Sequence, residues 1–209
     1  HQLFINQIDT IFNQLPKDLQ KSFEFLVLHN LQESCKSGIS FLTNGKDYME
    51  IRDKQMAENL KWLVNNKFPN QKIIVWAHSE HVLKNKNFIK PVFSNEKWTN
   101  MGHFFTGDSL QNAQTYILGF NSKSGTAGRI TNPKAYNVYS RKNNSFESWI
   151  ADSTKYAFID FKKFRGLNPM AMEYFNMKGK HHGYNEAVWT EVFDGIFYIR
   201  DMYPCEKVK

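Results

Sequence analysis

"IIVWAHSEHVLKN", residues 73–85, sets an apolar run of β-branched and aromatic residues directly against two histidines three positions apart. A run without polar alternation predicts a strand buried on both faces, as in a parallel sheet. Open α/β sheets bind ligands beyond the carboxyl ends of their strands. His78 and His81 leave the strand at that end, with the Ser79 hydroxyl and the Glu80 carboxylate between them. Two chemistries suit such a pair. A neutral imidazole accepts a proton from attacking water near neutral pH. Two imidazoles can also share a metal ion, although Glu80 stands at the wrong offset for the H-E-x-x-H helix of zinc proteases. On spacing alone, a packed structural pair carries the same weight as a functional one.

Outward from this stretch, helical spacing dominates the N-terminal side. Leu3, Ile8, Ile11, Phe12 and Leu15 predict a first helix that Pro16 breaks. Leu19, Phe23, Leu26, Val27 and Leu31 predict a second, closed near Gly38. Residues 45–68 carry the best helical pattern, ended by Pro69-Asn70. On the C-terminal side, 98–110 reads as a helix interrupted near Gly107, and 145–153 as a short helix behind Ser145. Residues 115–120, 156–161 and 193–201 read as strands, and the polar stretch 121–133 as a glycine loop. The alternation predicts one α/β domain over 1–209, a layered, mostly parallel sheet flanked by helices. Residues 1–44 form its helical N-terminal segment and 45–202 its core.

Composition narrows the function classes. With 41% hydrophobic and 22% charged residues and no apolar run of membrane-spanning length, the chain is expected to be globular and soluble. Cys35 and Cys205 stand too far apart for a disulfide framework or a zinc cluster. The net charge of +7 raises the question of nucleic acid, but the densest basic clusters, 84–90 and 161–166, are short and read as a solvated face. No G-x-S-x-G elbow supports a serine nucleophile, and "GTAGR" (125–129) lacks the lysine of a phosphate loop.

Five segments together resemble one family. "RDKQMAENLKWL" (52–63), "IIVWAHSEHV" (73–82), "NMGHFF" (100–105), "YILGFNSKSGT" (116–126) and "FDGIFYIRDM" (193–202) follow the order of the erythromycin-esterase family, which includes succinoglycan-biosynthesis-related proteins. The resemblance implies hydrolysis of an ester or lactone, macrolides in the resistance members, by histidine-assisted water attack without a covalent serine. It implies catalytic roles for His78 and His81, which match the family's His-Asn-x-His motif. Ser79, Glu80, Trp76, His103 and Gly125 are the expected substrate-binding residues, and Arg52 and Asp53 an ion pair supporting the motif strand. No cofactor or metal is expected. The expected partner is a small-molecule ester or lactone, with no nucleic acid and no membrane, and the expected location is the cytoplasm.

Two departures qualify the resemblance. The motif's Asn is Ser79 here, and Glu80 occupies a position that is commonly small. The family's Gly-Glu-x-x-His-Gly segment, with its base histidine, is not among these residues. The chain is therefore expected to be the C-terminal part of a longer protein, to self-associate in isolation, and to show little esterase activity alone.

Overall fold

The computed structural model describes residues 1–91, 99–129, 132–139 and 142–204, with the side chains of 129, 132 and 133 left aside. Cys205 lies outside the described residues. The chain forms two compact units, His1–Ala77 with Lys97–Gln114, and His78–Glu96 with Thr115–Lys209.

The first unit is helical. α1 (Gln2–Gln14) buries Ile5 and Ile8. α2 (Phe23–Leu42) starts at Ser22, whose hydroxyl accepts the Phe25 N–H at 3.1 Å. Gln32, buried on α2, donates to Asp9 of α1 at 2.6 Å. α2 runs straight through Gly38, where the sequence predicts its end; the stop comes at Asn44, whose φ of 55° supplies the left-handed turn. α3 (Tyr48–Trp62) continues into a π turn over Leu63–Lys67. Its buried Asp53 and the nearby Glu50 accept the N–H groups of Met101 and Thr99 at 3.1 and 2.8 Å. Those bonds fix the start of α5 (Met101–Thr106), a carboxylate at a helix N-terminus. Gly107 ends α5, and α6 (Ser109–Gln114) follows.

Residues 73–77 were expected to form the buried strand of a parallel sheet. They form no strand and no ladder among the described residues, and Ile74 is 92% exposed.

The second unit carries the sheets. β1 (Leu118–Arg129) pairs antiparallel with β2 (Asn132–Asn137) and parallel with β6 (Gly195–Met202), and β6 pairs antiparallel with β3 (Tyr156–Asp160). The order is β2-β1-β6-β3, and a separate antiparallel pair joins β4 (Phe175–Met177) to β5 (Asn185–Ala187). The sheet is thus mixed and mainly antiparallel, not mostly parallel, because among the described residues a single ladder, β1 with β6, joins strands running the same way. α7 (Phe146–Trp149), α8 (Phe161–Leu167) and α9 (Trp189–Val192) pack with it around Trp189, Phe193, Ile196, Met177, Phe146 and Phe161.

The expected glycine loop at 121–133 is largely β1. Asn121, Ser122 and Lys123 are buried: the Asn121 amide donates to Glu147 at 2.6 Å, and the Lys123 ammonium bonds Ile150 O and Asp152. Gly125, at φ +106°, lies against the backbone of Met202, where a Cβ would collide. Its bareness serves strand contact with β6. Among the described residues, no helix is long and apolar enough to cross a membrane.

Candidate active site: the His78 turn and the histidine loop

His78 caps a single helical turn, α4 (Ser79–Val82): its Nδ1 accepts the Glu80 N–H at 3.2 Å. An imidazole whose Nδ1 accepts must hold its proton on Nε2 when neutral. His81 sits on the same turn, edge-on to His78 with ring centroids 6.4 Å apart. Ser79 O accepts the N–H of Leu83 at 3.0 Å, which closes the turn.

Residues 83–90 hold this turn in place. Leu83 is buried in the core, the Lys84 N–H reaches Val192 O at 3.1 Å, and the Asn85 side chain donates to Glu191 O at 3.0 Å. Below them lies a buried ion triad. Asp194 Oδ1 takes Lys84 Nζ and Arg165 Nη2, both at 2.6 Å, while Oδ2 accepts the Ile117 N–H at 2.8 Å. Burial pushes the Asp194 carboxyl up, but the Lys84 hydrogen bond, the backbone N–H and the Arg165 contact outweigh it and hold the group below its ordinary range. Lys84 and Arg165 come from the two basic clusters expected to be solvated; here they neutralise a buried carboxylate.

The loop before β5 faces the turn. Lys180, 3% exposed, bonds Glu80 Oε1 at 2.8 Å. Burial raises the Glu80 carboxyl, yet the Lys180 bond and charge, with His78 and His181 nearby, leave it lowered. In the same loop the Gly183 N–H donates to His181 Nδ1 at 2.9 Å. His182 is half-buried, its ring 5.9 Å from that of Tyr136. Burial, then the charges of His181, Lys178 and His78, push its pKa down, which keeps it neutral at pH 7. Lys178 roots the loop: its ammonium donates to Lys123 O and Tyr139 O at 2.9 and 3.1 Å, and its N–H to Glu147 at 2.9 Å.

Of the residues singled out by sequence, His78, Ser79, Glu80 and His81 come together on one turn of the second unit. Gly125 is spent on β6. Trp76, His103, Arg52 and Asp53 belong to the first unit. There Trp76 is 83% exposed, His103 is half-buried on α5, Arg52 is exposed, and Asp53 is buried and accepts the N–H of Met101. Sequence reasoning assigned no role to Lys180 or Asp194; the His181-His182-Gly183 run was the visible signal for the loop. Among the described residues, no three His, Cys, Asp or Glu side chains converge to hold a metal ion.

The chain is 25% identical over 201 residues to "Putative hydrolase YbfO" of Bacillus subtilis (strain 168), a match covering 91% of this chain and 44% of that protein. It therefore spans less than half the length of the curated relative it matches. Among solved structures, a Bacillus cereus protein superposes with a TM-score of 0.66 at 19% identity, over 94% of this chain and 51% of that one. The erythromycin esterase EreC in its open conformation gives 0.57 at 17% identity, over 83% and 43%. A succinoglycan biosynthesis protein gives 0.56 at 19%, over 74% and 38%. At these identities the superpositions speak for the fold. The family model for erythromycin esterase matches residues 26–202, which take in both motif histidines, the loop facing them and most of the chain, and the chain therefore belongs to the erythromycin esterase family.

Proposed function

We propose that this chain forms the carbonyl-binding side of the active site of a hydrolase that opens an ester or lactone by histidine-assisted attack of water. The observation that carries the reading is the His78 ring, whose Nδ1 is taken by the Glu80 N–H. Its Nε2–H is thereby held as a fixed donor, the kind of group that stabilises the oxygen on which charge develops as water adds to a carbonyl. His81, on the same turn, orients the acyl group beside it. Family membership and the hydrolase name of the Bacillus subtilis relative support the reaction class. Within that class a macrolide lactone is the substrate we favour, and opening it would inactivate the antibiotic.

The test is turnover of p-nitrophenyl acetate and of a 14-membered macrolide lactone by the longer protein expected to contain this chain, and by its His78→Ala and His81→Ala variants. Each variant should lose on the order of 100-fold in kcat, the scale of a lost oxyanion donor, while keeping its circular dichroism and urea midpoint. Unchanged turnover in both would sink the assignment.

A further inference from the structure

The histidine loop repeats the device of the His78 turn. In both places an imidazole Nδ1 accepts the backbone N–H two residues further on, Glu80 for His78 and Gly183 for His181. His181, like His78, then carries its proton on Nε2 when neutral. Gly183 makes the second case possible. A Cβ there would stand 2.9 Å from His181 Cε1 and 3.1 Å from its Nδ1, so a side chain would push the ring off the amide.

The two turns are tied together. The buried Lys180 ammonium grips Glu80 at 2.8 Å, and Lys178 anchors the loop root to two backbone carbonyls. Glu80 lies within electrostatic reach of both His78 and His181, and its charge is balanced by Lys180.

We infer that His181 is a second substrate-contacting donor, its Nε2–H and that of His78 together holding the charge that develops on the carbonyl oxygen of an ester or lactone. The inference rests on the hydrolase reading. Water adds to the carbonyl carbon, the C=O pair moves onto oxygen, and the two N–H groups share that negative charge. The proton lost by water passes to a neutral imidazole acting as base. Collapse of the intermediate breaks the ester C–O bond, and the alcohol leaves with that proton.

Nitrogen-15 NMR of the imidazoles tests this without requiring turnover, using ethyl methylphosphonate as a charged tetrahedral probe. Both His78 and His181 should show the Nε2–H tautomer, and the probe should shift both Nε2 resonances. His181→Ala should weaken probe binding roughly tenfold or more, as expected for a hydrogen bond to a charged group. Gly183→Ala should move His181 toward the Nδ1–H tautomer. Shifts confined to His78, or an Nδ1–H tautomer at His181 in the wild type, would overturn this inference and leave the hydrolase reading standing. A probe that shifts neither ring would overturn both.

Discussion

Residues 73–77 and the first five residues of β6, 195–199, are alike in composition and opposites in structure. Both are apolar runs of β-branched and aromatic residues with one small residue, and β6 turns polar only afterwards, at Arg200 and Asp201. β6 has β1 on one side and β3 on the other, and its Ile196 and Tyr198 are fully buried. Ile73–Ala77 lies in no ladder among the described residues and leaves Ile74 almost wholly in solvent. Apolar β-branched side chains suit a pleated, covered surface, but the ladder comes from neighbours. The difference between the two runs lies in what stands beside them.

The deepest cut is aimed just ahead of β6. Asp194→Ala strands the buried Lys84 and the partly buried Arg165 without their shared carboxylate, and should cost about 3–5 kcal/mol in urea unfolding. Its pH dependence has a definite sign. The folded carboxyl titrates below its unfolded value of about 3.9. Its stabilisation is complete above that value and is lost as pH falls through the folded titration. A stability profile flat from pH 5 to pH 2 would remove Asp194 from that role.

The comparison itself is tested by paired truncations. Ile196→Ala should lose about 2–5 kcal/mol, since it empties a fully buried site. Ile74→Ala should stay within about 0.5 kcal/mol. Amide exchange should separate the same two runs, slow at 196–199 and fast at 73–77. Equal losses, or equal protection, would mean that residues 73–77 gain a ladder in solution. A smaller loss than that of Ile196→Ala belongs to the latch between the turn and the loop. Glu80→Gln removes the carboxylate charge that faces the buried Lys180 ammonium while keeping an amide oxygen to accept its hydrogen bond, and should cost about 1–3 kcal/mol, measurable as a shift in urea midpoint. The wild-type pair should also weaken as pH falls through the Glu80 titration, which lies below its ordinary value.

Periodicity made the helices legible. The i+3/i+4 pattern of residues 48–62 and the break at Gly107 both appear where spacing puts them. The end of α2 was misplaced, because an internal glycine costs a helix only about 1 kcal/mol and packing overrides it. β1 was hidden by its own polarity: Asn121, Ser122 and Lys123 look like loop residues until Glu147, Ile150 O and Asp152 are seen to receive two of them. Sheet direction could not be read from residues 73–77, since a run with no polar face carries no information about its neighbours. At the site, the His78–His81 motif was readable as a local pattern. The Lys180 latch and the Asp194 triad were not, because each joins residues distant in sequence and a lysine looks solvated until its acid is found.

Asp194 also dictates an order of events during synthesis. The turn bearing His78 and His81 is anchored through Lys84 to a residue 110 positions further along the chain. At about 5–20 residues per second, a ribosome needs roughly 5–20 s to travel from one to the other. Through that interval the histidines are already outside the tunnel or entering the solvent, with Lys84 charged and no acid to receive it. Native contacts of such separation form late and slow the search for the folded state. The site can therefore be set only after β6 has emerged, and a nascent chain stalled before Asp194 would display the histidine motif without its geometry.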